Sequence, residues 1–157
     1  PEKHTIVPLL ERCVDKVYSG NADIVVPRRR NLDGYPKYQQ LSELRGNWEI
    51  GNILGRPDLD LYIGPRVMNR AATLIMASYD GHCGGNQYGD RWEILFIPIV
   101  QMLAVHMGVE SIVVDYVHPI EQLVEDDEVM RKKRDEQFHD LVTAMKAEAK
   151  RLEIRGL

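Results

Sequence analysis

Apolar side chains along this chain fall into distinct spacings, and each spacing predicts a different element. Ile6, Leu10, Cys13, Val14 and Val17 recur at helical intervals, with Thr5 placed as N-cap and Pro8 in the first turn, so the chain opens with a predicted helix. After the breaker "SGN", the run "ADIVVP" is short and continuously apolar, the pattern of a strand buried on both faces of a parallel sheet. "NLDGYP" is a turn, and Pro36 at a helix N1 position launches Tyr38, Leu41, Leu44 and Trp48 as the apolar stripe of a second helix. Gly46, Gly51 and Gly55 predict that this helix is weak or broken towards its end. "LDLYIGP" reads as a brief strand, followed by a helix from Val67 to Ser78.

"WEILFIPIVQMLAVHMG" reads as a largely apolar helix bent at Pro98 and closed by Gly108. His106 falls inside it as a core residue. "SIVVDYVHP" is the second clear strand, with His118 at its C-terminal end and Pro119 stopping it. From Glu121 onward the tail is helical. Phe138, Leu141, Val142, Met145 and Leu152 form its stripe among alternating charges, compatible with packing on its own sheet or with pairing to another copy. The element order predicts an α/β fold, with few strands flanked by helices, a long C-terminal helix, and a single domain over residues 1–157. Two clear strands and a short third make a thin sheet for so much helix, which reads as a portion of a larger unit.

Composition supports one core and narrows the partners. Of 157 residues, 44% are apolar, enough for a single globular domain. Twenty Lys and Arg stand against 24 Asp and Glu, a formal charge of −4 that argues against a phosphate-tracking surface and so against a nucleic-acid partner. No run approaches the roughly 20 apolar residues needed to cross a bilayer, so no membrane span is expected. Two cysteines make neither a disulfide framework nor a CxxC pair, and the expected compartment is the cytoplasm. The first residues, "PEKHT", carry no initiator methionine, the mark expected of a processed or excised piece.

Chemistry concentrates in "YDGHCGGNQYGDRWE", residues 79–93, with four glycines between two apolar stretches. Asp90 and Glu93 lie at i and i+3, where they either cap a helix or offer one general base to a hydroxyl. His118, at a strand end, is either a structural residue or a metal ligand. Arg28, Arg29 and Arg30 follow one strand; Arg66, Asn69 and Arg70 follow another. These ends would grip an anion if they faced the same crevice. Asp58 and Asp60 in "DLD" read as a turn, because "LGRP" rather than an apolar strand precedes them.

Taken in order, "GNADIVVPRR", "YPKYQQLSE", "DLYIGPRVMNR", "YGDRWEILFIPIVQMLAVHMG" and "VVDYVHPIEQLVEDDEVMRKKRDEQ" resemble the second half of a GT-A (Rossmann-like) glycosyltransferase domain. The likeness is to the family 2-like and glucosyl- or mannosyl-glycerate synthase types. It implies a chain starting after the DxD-bearing half, and metal-assisted transfer from a nucleotide-sugar donor to a hydroxyl acceptor, with Mg2+ or Mn2+ as cofactor. It implies that Asp90 or Glu93 meets the acceptor in a pocket lined by Gly84, Gly85 and Tyr88. His118 would complete the metal shell. Arg131 and Arg134 would close over the diphosphate, with Arg28, Arg29, Arg66 and Asn69 as further substrate contacts. The alternative expectation is a non-catalytic α/β assembly domain.

Overall fold

A computed structural model of the chain describes residues 4–83, 86–87, 93–119 and 127–154. Within them the fold is α/β, with five α-helices and a small mixed sheet of three strands. The central strand β1 (Ile24–Arg29) pairs in parallel with β5 (Val109–Val114) and antiparallel with β2 (Val67–Met68). Helix α1 (Glu11–Tyr18) covers one face through Cys13, Ala22 and Val25. The other face buries Ile24, Val26 and Val109 beneath α2 (Lys37–Leu54), α4 (Ile97–Ala104) and α5 (Glu128–Arg151). Each fully buried Ile, Leu or Met in that layer contributes roughly 1.5–3 kcal/mol relative to exposure.

The apolar run predicted as a doubly buried strand is β1, all but one of whose residues are buried. Pro27 sits in this central strand because of side alternation. The amides of Ile24 and Arg30 reach towards β5, so positions 25, 27 and 29 face β2. Since β2 pairs only with Ile24 and Val25, the missing proline N–H falls where no strand waits, and the Arg29 N–H beyond it donates to the Asp60 carboxylate.

Several expectations are corrected. The opening helix splits into a 3-10 segment, His4–Leu10, with Pro8 inside, and then α1; Leu10 rather than Thr5 precedes α1, and no side chain caps it. The "LYI" segment is a 3-10 turn, Leu61–Ile63, and the third strand is β2, followed by α3 (Arg70–Ser78). Helix α2 runs unbroken to Leu54 because Gly46 and Gly51 are contact positions: a Cβ at Gly46 would overlap the Tyr62 ring, and one at Gly51 would press on Pro57. Gly55 ends α2 in the left-handed conformation, φ 65°.

The expected α2 stripe faces solvent. Leu41 is 68% exposed, Leu44 57% and Trp48 66%, while Glu43, Gly46, Ile50, Gly51 and Leu54 are buried. The helix predicted over 92–108 is a 3-10 turn, Glu93–Leu95, followed by α4, with Pro98 in the first turn. It ends at Ala104, and His106 lies beyond it, exposed and with φ 58°, rather than in the core. Strand β5 stops at Val114, so His118 lies four residues past the strand rather than at its tip. The α5 stripe is used within the chain: Leu141, Val142 and Met145 are buried, and Phe138 takes the Arg45 guanidinium over its ring at 4.3 Å.

Candidate functional site

Where β1 leaves the sheet, Arg29 enters a buried polar network. Its Nε donates to Asp60 Oδ2 at 2.6 Å and Nη2 to Asp60 Oδ1 at 2.7 Å, a two-pronged contact. Its Nη1 donates to Glu43 Oε2 at 2.6 Å. Gln39 and Asn47, on the same face of α2 as Glu43, donate to the two carboxylates at 2.7 and 2.9 Å, and Asn47 Oδ1 accepts the Leu61 N–H. Burial by itself would lower the Arg29 pKa, but the Asp60 hydrogen bonds and the Glu43 and Asp60 charges hold it above the usual guanidinium value. The same pairing outweighs burial at Asp60 and keeps that carboxyl below its usual range.

An aromatic stack joins this network to His118. The Tyr35 ring lies 5.0 Å from the Arg29 guanidinium carbon and stacks on the His118 ring, centroids 3.8 Å apart at 26°. Both rings are buried beside Tyr116, and burial pushes the Tyr35 phenol up to about 12. Arg29 and His118, singled out separately in the sequence, thus share one buried neighbourhood with Tyr35 between them.

A second cluster surrounds the end of the glycine-rich segment. The short strands β3 (His82–Cys83) and β4 (Asn86–Gln87) form a hairpin ladder, and Glu93 begins the turn that leads into α4. Glu93 is only 8% exposed, and its Oε2 finds no hydrogen-bond partner among the described residues. Near it lie Cys83 and Tyr79, whose thiol and hydroxyl interact with each other. Burial, reinforced by the Glu148 and Glu93 charges, pushes Cys83 up to about 11. Glu148 is fully buried, accepting from Arg151 Nε and Nη2 at 2.8 Å and from Gln101 at 3.0 Å.

The remaining sequence candidates have separate places. Arg28 is exposed on the rim of β1 and makes no ion pair among the described residues, while Arg30 pairs with Asp115. Arg66 points inward and donates to the carbonyls of Gly64, Leu61 and Leu95, tying the 61–64 turn to the segment just after Glu93. Burial lowers its pKa to about 10. Asn69 caps α3, accepting from the Ala72 N–H at 2.9 Å, and donates to Asp23 at 2.6 Å. These bonds place Arg66 and Asn69 in internal structural work rather than on an open anion site.

Arg131 stacks over Tyr38 at 5.3 Å on the first turns of α5, beside Arg134. Asp90, Gly84, Gly85 and Tyr88 lie outside the described residues. Asp58 and Asp60 are committed to Arg56 and Arg29, which agrees with the turn reading of "DLD". Among the described residues, no three His, Cys, Asp or Glu side chains converge to hold a metal ion.

Sequence reasoning missed Glu43, Asp60, Tyr35 and Glu148. A signal existed for Glu43: Gln39, Glu43 and Asn47 repeat every four residues, a polar stripe as regular as the apolar one beside it. Compared with known proteins, the chain matches no protein-family profile, no curated protein and no solved structure.

Proposed function

We propose that this chain carries the acceptor side of a glycosyl transfer from a nucleotide-sugar donor to a hydroxyl, with Glu93 as the general base. The observation that carries this reading is the buried Glu93 carboxylate with an Oε2 open to a donor. A buried acceptor oxygen without a partner is costly, roughly 1–3 kcal/mol, and an incoming hydroxyl would relieve it. The sequence suits the step: glycines before Glu93 carry no side chain to bar a substrate from the backbone. In an inverting displacement, the acceptor oxygen bonds to the anomeric carbon, its proton passes to Glu93, and the bond to the diphosphate oxygen breaks with its electron pair on the leaving group.

Away from Glu93, exposed Arg28 lies at the C-terminal end of β1 and buried His118 lies beyond that of β5, the side of parallel strands where α/β folds seat ligands. A divalent cation, magnesium or manganese, would stabilise the charge on the departing diphosphate. The described residues do not by themselves make a metal centre, and His118 is the one ligand proposed from among them. The proposed fold type within the α/β class is GT-A.

The test is calorimetric titration of sugar nucleotides into the full-length protein, with and without manganese, followed by transfer assays. Glu93→Gln is expected to keep donor binding and lose transfer by about 10²–10⁴-fold. Absence of binding by the wild type, or full transfer by Glu93→Gln, overturns the reading. An assembly role is favoured instead by one feature, the solvent-facing stripe of Leu41, Leu44 and Trp48.

A further inference from the structure

Strand β5 ends the sheet among the described residues, with β1 on one side of it only. Arg30 N–H donates to the Val114 carbonyl, and the Ile24 N–H donates to that of Gly108. In a parallel strand, the N–H and C=O of one residue point to the same side, and the side alternates along the chain. Even-numbered residues therefore face β1, and Val109, Ser111 and Val113 present their groups outward. The Val109 N–H meets the Met107 carbonyl; Ser111 and Val113 open onto a groove of about 1010 Å³. Its other wall is the polar face of α1, with Arg12, Asp15 and Lys16.

Such an edge is normally blunted by proline, lysine, a bulge or a covering element, because it templates pairing with another strand. The neighbouring strands are protected in this way: β1 carries Pro27, and β2 is two residues long. "VESIVV" has neither proline nor lysine, and Val113 is 43% exposed. Only an extended chain offers donors and acceptors at the spacing this edge requires.

We propose that the occupant is β5 of a second copy, paired antiparallel about a two-fold axis at Ser111. The sequence of the strand is self-complementary in that register. Val109 lies opposite Val113 of the second copy, Glu110 opposite Ile112, and Ser111 opposite its own equivalent. The Ser111 pair exchanges two N–H···O=C bonds, each Val113 N–H donates to the Val109 carbonyl of the other copy while the Val109 N–H keeps its bond to Met107, Val113 gains an apolar cross-strand neighbour, and no like charges stand opposite each other. Side-chain faces are preserved, because every pair joins residues of equal parity. On the α1 wall, Arg12 and Asp15 form no ion pair among the described residues, so each copy brings one charge of each sign to the junction. Pairing merges two three-stranded sheets into one of ordinary size. This inference does not rest on the transferase reading.

The experiment is sedimentation equilibrium of the full-length protein, with residue-resolved amide exchange at low and high concentration. A dimer is expected, with the Ser111 and Val113 amides slowing at least about tenfold at high concentration while Ile112 and Val114 stay unchanged. Val113→Lys is expected to weaken dimerisation at least about tenfold, with an unaltered thermal midpoint at concentrations low enough that both proteins are monomeric. A protein that stays monomeric with fast exchange at Ser111 and Val113 overturns the proposal. So does a dimer that survives Val113→Lys, or one whose exchange at these amides is independent of concentration. A dimer abolished by Trp48→Glu but not by Val113→Lys assigns the interface to α2 instead and also overturns it.

Discussion

Replacing Asp60 by asparagine tests the physical account of the Arg29 network directly. In the wild type, Asp60 accepts two bonds from the Arg29 side chain, one from the Arg29 backbone and one from Asn47. Both partners are buried, with side-chain exposures of 1% for Arg29 and 7% for Asp60, so solvent cannot replace what is lost. The substitution nearly preserves volume but leaves the guanidinium with Glu43 as its one charged partner. Breaking one side of a buried pair costs about 3–5 kcal/mol, and an amide that still accepts one bond places Asp60→Asn near the lower figure. At about 2–4 °C per kcal/mol for a chain of this size, the thermal midpoint falls by about 6–12 °C.

The same variant has a pH signature. The folded-state pKa of Asp60 lies below its ordinary value of 3.8, so its contribution is present above that value and is lost as pH falls through the depressed one. Asp60→Asn therefore flattens that part of the acid limb of a stability-versus-pH curve. Urea unfolding followed by circular dichroism between neutral and acidic pH measures both effects. A loss below about 1 kcal/mol at neutral pH, or an unchanged acid slope in the variant, would refute the argument.

Three further outcomes are expected. Gly46→Ala forces a methyl into the Tyr62 ring and lowers stability by about 1–3 kcal/mol in chemical denaturation, with partial recovery when Tyr62 is also shortened to leucine; a neutral Gly46→Ala contradicts the close packing of α2 on the 61–63 turn. Asn69→Ala removes the α3 cap and its bond to Asp23, costing about 1 kcal/mol, whereas Asn69→Asp keeps the cap but sets a carboxylate against Asp23. Cys83, buried and raised to about 11 from 9.0, reacts with a thiol reagent at mildly alkaline pH about a hundredfold more slowly in the native protein than in denaturant. Native labelling at the free-cysteine rate would place that thiol at the surface.

Much of the fold was legible because the elements that face the core carry an apolar signal of the right period. The continuous runs of β1 and β5 and the long stripe of α5 are read from spacing alone, since each is buried by apolar neighbours on the faces the pattern names. Boundaries were less legible. "LYI" has strand composition, but Asp60 and Gly64 on either side hold it in a turn, and Arg66 fastens it there through backbone carbonyls. The candidate site was legible one residue at a time: Glu93, Arg29 and His118 were identifiable as chemistry-bearing groups, but not the Tyr35 ring that joins two of them.

The orientation of α2 was decided only by the tertiary structure. Its sequence holds two stripes, an apolar one at Leu41, Leu44 and Trp48 and a polar one at Gln39, Glu43 and Asn47, and hydrophobic periodicity predicts the first as the inward face. The folded chain turns the second inward. Arg29, carried into the interior as the last residue of β1, needs carboxylates within reach, and Glu43 and Asp60 meet that need from positions 14 and 31 residues away. Local pattern determines which segments are helix or strand, because that choice depends on near neighbours. Which side of α2 is buried depends on what that side meets, the Arg29 charge at Glu43 and the apolar core at Ile50 and Leu54, and that is set only when distant segments meet.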